Sequence, residues 1–460
     1  MKIGYFSTCN QVTYGKNKSG KKIYKVCVLN NKINESLFYL IPYRGNIEGQ
    51  IIILFKCIND KEGSILDVIG KMNDDNLIIT LKYIHNIFYK QLYFKELIIN
   101  QLENSINRKF IDKEIFSIDP NFTEDMDDAL SFEEYDEYYL IGVYIAQPIY
   151  YLNQTLIETH AKKAFSTLYN NNFCKNNNLW GDTLTEAISL YPNTIRPTFA
   201  IFYYINKNYE LIKIEHFPAT IINKIKTTYD ECLQYNNINK LYILTQQLTD
   251  INNTHDLVSY WMIKTNNYIG NNYKLPNRVI TIDDDIDNNE LKMIFIKKGA
   301  FYSLSENYHQ ILDKYNYIHF TSPIRRIIDT INHWCITYDI PFSDMNINLD
   351  EINKIDKATK KYHNDIKLIE AINNLADENE LDGWIYKNNW KDFEKNTITV
   401  YFKELGFQKV ELWQKKFNNL LNDELINKFN NLKIGNMFKF KVYKKIGFLP
   451  RNKILIKIIF

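Results

Sequence analysis

The chain has 460 residues, and its 56 lysines and arginines stand against 54 aspartates and glutamates, for a formal net charge of +2. That balance excludes a polycation that grips nucleic acid over its whole surface, so any such site must be a local groove. Hydrophobic residues make up 45% of the sequence, enough to fill real cores, and the length calls for about two to four domains.

Six cysteines (Cys9, Cys27, Cys57, Cys174, Cys232 and Cys335) lie far apart with no Cys-x-x-Cys pair. This argues against a zinc site or redox motif and for a reducing compartment. The polar N-terminus lacks a signal core, and no apolar run approaches the roughly 20 residues of a membrane span. The expectation is a cytoplasmic monomer with no membrane partner. Arginine is scarce, seven residues against 49 lysines, so each arginine is worth inspecting.

From Tyr5 to Ile87 short β runs alternate with turn residues, among them Ile23–Leu29, Ser36–Ile41 and Gln50–Phe55, the pattern of a small barrel or sandwich. Gln91–Ser105 carries apolar residues at helical spacing. Ser117–Ile145 reads as strand, acidic loop, strand, turn and strand, and the Asn-rich Tyr169–Asn178 reads as a loop. Helical periodicity marks Asp256–Tyr273, Ile324–Tyr338 and Lys354–Asn379. From Gly383 onward β signals return at Thr397–Phe402, Lys409–Trp413, Met437–Tyr443 and Lys453–Ile459. The predicted class is α+β: a large mixed domain at 96–378, flanked by small β domains at 1–95 and 379–460.

The densest chemistry lies at Ser117-Ile-Asp-Pro-Asn-Phe-Thr-Glu-Asp-Met-Asp-Asp-Ala129, where Asp119, Asp125, Asp127 and Asp128 crowd together between apolar strands. Carboxylates this close repel one another, and burial raises their pKa values further. A divalent cation removes that penalty, and hard oxygen ligands favour Mg²⁺, with Mn²⁺ the alternative, over zinc. A group of four can hold two metals for phosphodiester hydrolysis. The bland alternative is a solvated acidic loop. An EF-hand fails, because Glu124 and Leu130 stand where its Gly and Glu belong. The second acidic run, 283–287, reads as a solvated loop.

Two of the seven arginines are adjacent in Tyr317-Ile-His-Phe-Thr-Ser-Pro-Ile-Arg-Arg326, just ahead of a helical pattern. A Ser-Pro helix start presents backbone N–H groups to an anion, and arginine adds bidentate phosphate contacts. The bland alternative is that Arg325 and Arg326 pair with protein acids.

Together the two motifs resemble the RNB catalytic domain of ribonuclease II, ribonuclease R and the exosome's catalytic subunit. Asp119, Asp125, Asp127, Asp128 and Ala129 match the family's Asp, then Asp-x-Asp-Asp-Ala, without a gap. His319 to Arg326 matches its His-Phe-Thr-Ser-Pro-Ile-Arg-Arg unbroken, followed by Asp329 and His333. Ser189, Leu190 and Arg196 look like the family's Ser-Leu…Arg segment, Tyr169 fits the tyrosine that clamps the RNA 3′ end, and Tyr229 fits a second tyrosine near the scissile end. The flanks look like a cold-shock-type OB barrel and a C-terminal OB-type RNA-binding domain.

The resemblance implies a 3′→5′ exoribonuclease that hydrolyses single-stranded RNA to nucleoside 5′-monophosphates. The four aspartates would hold Mg²⁺, Arg325 would contact the scissile phosphate, and Tyr169, Tyr229, His319, Ser322 and Arg326 would meet the RNA.

The sequence also departs from the family. Gln147 in Ile145-Ala-Gln-Pro148 replaces an aspartate, which implies a carboxylate lost near the site. Ser259 and Tyr260 in Leu257-Val-Ser-Tyr260 replace two glutamates, and Ala164 replaces an arginine. These departures keep a rival open, a weak or inactive RNB-type RNA-binding protein. A phosphodiesterase of other specificity, or a structural part of an RNA-processing assembly, is the third reading.

Overall fold

The computed structural model describes residues 1–9, 13–29, 37–87, 92, 94–280, 300–388, 397–411 and 432–459. The acidic run 283–287 lies outside the described residues, as do parts of the segments read as Ser36–Ile41, Gln91–Ser105 and Lys409–Trp413.

Strands β1 (Lys2–Ser7), β2 (Lys22–Val28), β3 (Phe38–Tyr43), β4 (Gln50–Cys57) and β5 (Gly63–Lys71) form an antiparallel sheet ordered β3-β2-β1-β4-β5. A parallel bridge from Leu40 to Glu62, with Leu40 N–H donating to Lys61 O at 2.7 Å, joins β3 to the start of β5 and curls the sheet shut. This is the strand order of an OB barrel. Alternating inward residues, Phe6, Tyr24, Val26, Ile41, Ile53 and Phe55, fill it.

Two local expectations are corrected here. The β pattern read through to Ile87 ends in a helix, Leu77–Ile84. Its sequence is rich in β-branched and aromatic side chains, but Leu77, Ile78 and Leu81 share one helical face and bury against Ile3 and Ile52 of the barrel, so packing overrides propensity. Conversely, the described residues of Gln91–Ser105, read as helical, form a 3₁₀ turn at Gln101–Ser105 and no α-helix. Leu92, Phe94 and Leu97 are packed against the central core from a strap without helix. Asn100 pins that strap by donating its Nδ2–H to Leu152 O at 2.7 Å.

The central sheet has seven strands: β6 (Lys109–Ile111), β7 (Ile115–Ile118), β8 (Asp128–Glu134), β9 (Tyr138–Ala146), β10 (Ile195–Asn206), β11 (Leu211–Ile222) and β12 (Ile225–Thr227), ordered β12-β7-β8-β9-β10-β11-β6. The outer pairs β12–β7 and β11–β6 are parallel and the rest antiparallel. The middle strand β9 ends in a continuous apolar run, Val143 to Ala146, with every side chain buried, as a strand covered on both faces requires.

Helices Gln154–Ala161, Asp182–Ile188, Asn236–Leu248, Thr254–Asn272 and Ile327–Thr337 carry residues of the same core. Two short ladders, β13 (Asn277–Val279) with β14 (Phe301–Ser303) and β15 (Tyr308–His309) with β16 (Lys314–Tyr315), lead into the arginine motif.

The long helix Leu349–Asn374 follows. The chain then forms β17 (Glu378–Asn388), β18 (Thr397–Phe402), β19 (Gly406–Glu411), β20 (Met437–Lys444) and β21 (Ile454–Ile459), ordered β19-β18-β17-β20-β21. That order repeats the arrangement of the N-terminal barrel. The α+β class, a mixed sheet with helices between barrel-type flanks, is the one the sequence predicts.

A hydrophobic cluster ties the parts together. Ile3, Ile52 and Leu77 from the N-terminal unit, Leu168 from the centre, Tyr362, Ile366 and Ile369 from the long helix, and Phe448 and Leu449 near the C-terminus share it.

Helix Thr254–Asn272 approaches the β16 turn so closely that a Cβ on Gly270 would sit 1.7 Å from Asn316 O. Gly270→Ala is therefore expected to lower unfolding stability by about 1–3 kcal/mol, measured by chemical denaturation. An unchanged midpoint would mean that this approach is not rigid.

Candidate active site

The acidic loop leaves the end of β7 and returns as β8, two adjacent strands of the central sheet. Asp119 N–H donates to Thr227 O at 3.1 Å, fixing the loop's first residue to the end of β12. Met126 is wholly buried, and its carbonyl accepts from Leu190 N–H at 3.0 Å. The Glu124 carbonyl accepts from Ser189 Oγ at 2.8 Å and Tyr191 OH at 2.9 Å. Arg196 donates Nε–H to Ser189 O at 2.8 Å. The Ser189-Leu190…Arg196 segment thus braces the backbone of the acidic loop. At the loop's tip Phe122 is 98% exposed with φ +65°, a left-handed conformation unusual for a bulky residue.

The arginine motif meets this loop directly. Asp127, 2% exposed, accepts Ile324 N–H at Oδ1 (2.7 Å) and Arg325 Nε–H at Oδ2 (2.8 Å). Burial drives the Asp127 pKa well above the usual carboxylate range, against the pull of Arg325. Burial also works against the charge of Arg325, but Asp127, Tyr169 and Asp125 outweigh it and raise its pKa. The Arg325 side chain nonetheless remains 44% exposed, so part of it reaches solvent.

The segment before Tyr169 pairs with the same turn. Thr167 N–H donates to Arg325 O at 3.0 Å and Ile327 N–H to Phe165 O at 2.9 Å. Tyr169 is thereby set beside the acids, and its hydroxyl donates to Asp125 Oδ2. Burial first, then Asp125, raises its pKa.

Asp119 and Asp128 form the other half of the cluster. Burial, then Asp128, pushes Asp119 up to about 7, and burial pushes Asp128 up to about 6 against the pull of Arg325. Asp119 Oδ2 is buried with no hydrogen-bond partner. Tyr229 lies within reach of both charges. Burial, then Asp128 and Asp119, pushes its hydroxyl up to about 12.

These contacts also show where the other residues singled out in the sequence sit. Asp127, one of the four expected metal ligands, accepts one hydrogen bond at each oxygen, from Ile324 and from Arg325, and so lies against the arginine turn. The Ser-Pro helix start does not offer its N–H groups to a phosphate, because Ser322 N–H donates to Asp329 Oδ1 at 2.8 Å and Ile324 N–H to Asp127. Arg326 donates Nη2–H to the buried Asp329 at 3.0 Å, the bland fate for an arginine, so its charge is spent inside. His319 shares a 2.7 Å hydrogen bond with Tyr302 OH, and burial, then Arg326 and Arg278, holds its pKa well below the usual imidazole value. Ser322 is buried and His319 and Arg326 are partly buried, all three engaged with neighbouring protein groups.

Gln147 is buried among Arg108 and Thr337, accepting from Arg108 Nη1 at 2.6 Å and donating to Thr337 Oγ1 at 3.0 Å. Glu103 supplies the carboxylate for Arg108 there. The aspartate missing at Gln147 is thus a loss within an internal network, not among the four acids. Ser259 is exposed, and Tyr260 packs on Trp261 and accepts from Lys264 Nζ at 3.1 Å.

The sequence reading missed two histidines. His255, exposed at the start of helix Thr254–Asn272, stacks on Tyr229 with ring centroids 3.6 Å apart and planes at 11°. His363, on the long helix, accepts Tyr169 N–H at Nε2 (3.2 Å). Neither has a local sequence signal, since each partner is distant in the chain.

The RNB domain model matches residues 107–240 and 232–338, just over half of the chain, and the chain belongs to the RNB family. Ribonuclease R of Ureaplasma parvum is 26% identical over 229 residues, which is 43% of this chain but only 30% of that relative's length. Among solved structures, apo ribonuclease R of Mycoplasma genitalium superposes with a TM-score of 0.71 at 17% identity, over 100% of this chain and 89% of that one. The same enzyme bound to ribose-methylated single-stranded RNA gives 0.69 at 16% identity, with the same coverage. Yeast Ssd1, described as a pseudonuclease, gives 0.68 at 11% identity over 99% and 83% of the two chains.

RNB-family nucleases generally use a divalent metal. Among the described residues no three or more His, Cys, Asp or Glu side chains are gathered as a finished metal cage. The acids nonetheless fit one. Asp119 and Asp128 are crowded, resist ionisation, and leave a buried oxygen unpartnered, the condition a hard cation relieves.

The raised pKa values give a signed prediction. Between the ordinary carboxylate value of 3.8 and about 7, folded Asp119 holds a proton that the unfolded chain has released. Metal-free stability should therefore fall as pH rises through that window and stay low above it. The Tm of the metal-free protein is expected to drop from about pH 5 to about pH 8, with a shallower slope in Asp119→Asn. An equal slope in the two proteins would remove Asp119 as the source.

Proposed function

We propose that this chain is a 3′→5′ exoribonuclease that hydrolyses single-stranded RNA to nucleoside 5′-monophosphates. The observation that carries the reading is the meeting of the two motifs, with Asp127 buried against Arg325 while burial keeps the crowded Asp119 and Asp128 pKa values raised despite the pull of Lys226 and Arg325 on Asp119 and of Arg325 on Asp128. Mg²⁺, or Mn²⁺, held by Asp119 and Asp128 with Asp125 beside them, would supply charge neutralisation and an activated water.

The protein's own groups do the rest. Asp127 and the Ile324 N–H hold Arg325 in one orientation, and its exposed part can bind the scissile phosphate and the charge that grows on it. Tyr169, tied to Asp125, and Tyr229, backed by His255, offer aromatic faces to terminal bases. The domain division goes with this reading: a cold-shock-like OB unit at 1–95, the catalytic unit at 96–378 and an OB-type unit at 379–460, which together feed a single strand to the site. All six cysteines are free thiols and no described helix is long and apolar enough to cross a membrane, in keeping with a reducing compartment such as the cytoplasm.

The second reading is an RNA-binding protein without turnover. The likeness to Ssd1 favours it, as do Ser259 and Tyr260 at the family's glutamate positions.

A 5′-labelled single-stranded RNA incubated with Mg²⁺ and with EDTA separates the two. The nuclease predicts Mg²⁺-dependent shortening from the 3′ end, abolished in Asp128→Asn. Arg325→Ala is expected to lower kcat by about 100-fold or more. RNA that stays intact yet shifts on a native gel would select the binding protein.

A further inference from the structure

Three consecutive residues at the candidate 3′-end clamp are gripped by about two turns of a distant helix. Leu168 packs in the cluster that contains Tyr362, Ile366 and Ile369. Tyr169 N–H donates to His363 Nε2 at 3.2 Å, and the two rings lie 6.0 Å apart at 37°. Asn170 Oδ1 accepts the hydroxyl of Tyr362. The grip is separate from the acidic loop, because all the helix side chains come from Leu349–Asn374.

We propose that His363 is a positioning residue for Tyr169: its Nε2 fixes the Tyr169 backbone so that the ring and hydroxyl stand over Asp125. The assignment rests on the exoribonuclease reading of the site. To accept that N–H, the imidazole must be neutral with its proton on Nδ1. Burial, then Lys367, lowers the His363 pKa to about 4, so the acceptor persists at neutral pH. Without it, the Tyr169 N–H would sit half-buried with no acceptor, and the tyrosine could turn away from Asp125 at little cost.

The helix also carries Asp365, which pairs with His85 of the N-terminal unit at 2.7 Å. The element that sets Tyr169 is therefore the one against which the N-terminal barrel docks.

The test is a double-mutant cycle in the full chain, read by binding of a fluorescent single-stranded oligoadenylate in EDTA and by KM and kcat with Mg²⁺. His363→Ala and the bulkier His363→Leu remove the acceptor, His363→Gln keeps one, and Tyr169→Ala removes what is positioned. We expect His363→Leu to weaken binding and raise KM by about 5-fold with a smaller change in kcat, and His363→Gln to stay within about 2-fold of wild type. In the Tyr169→Ala background the His363 substitutions should add less than about 2-fold. If His363→Ala does not fold, the Leu and Gln variants complete the cycle. Full additivity of the two sites, or a Gln variant as impaired as Leu, would overturn the assignment while leaving the nuclease intact. A wild-type chain that neither binds nor shortens the RNA would overturn the exoribonuclease reading and this assignment with it.

Discussion

A carboxylate taken out of water must find a counter-charge, and the pairing of Asp127 with Arg325 is the contact on which the rest of this centre depends. It joins two motifs 198 residues apart. Removing one partner of such a pair leaves a buried charge uncompensated, which costs far more than the pair itself gains. The pairing therefore acts as a geometric constraint. The turn through Ile324 and Arg325 must lie against β8, and the segment before Tyr169 must lie against that turn. From this one contact follow the partly exposed Arg325 side chain and the tyrosine beside Asp125.

Most of the architecture was legible because it repeats simple patterns. The acidic loop between apolar strands, the helices near Asp256, Ile324 and Lys354, and the barrel-like flanks all show in periodicity and composition. Helix Leu77–Ile84 did not show, because its β-branched and aromatic residues read as strand until the barrel surface that buries them is known. The described residues before Gln101 failed in the opposite sense, Leu92, Phe94 and Leu97 serving the central core from irregular backbone. At the site the residue types were legible but their assignments were not. No spacing rule distinguishes Arg325, aimed outward, from Arg326, turned in toward Asp329. His255 and His363 were invisible because their meaning lies wholly in Tyr229 and Tyr169, far away in the chain.

The family departures look different once placed. Gln147 sits in a network where Glu103 and Arg108 already form an ion pair, so a neutral amide completes it without adding another buried charge. Ser259 and Tyr260 lie on the helix that begins with Thr254, whose hydroxyl donates to Tyr229 O at 2.8 Å. The stack of His255 on Tyr229 gives the start of that helix an aromatic surface. Such a surface is tolerant of base identity, since every base has a face to stack.

The cluster shared by Ile3, Leu77, Leu168, Tyr362 and Phe448 bears on how this chain can change over time. Modular proteins exchange their parts when each part closes its own core, and here one core draws on the beginning, the middle and the end of the sequence. Cutting away either flank would strip apolar cover from the residue next to Tyr169, so a shortened chain would lose alignment at its centre along with a surface.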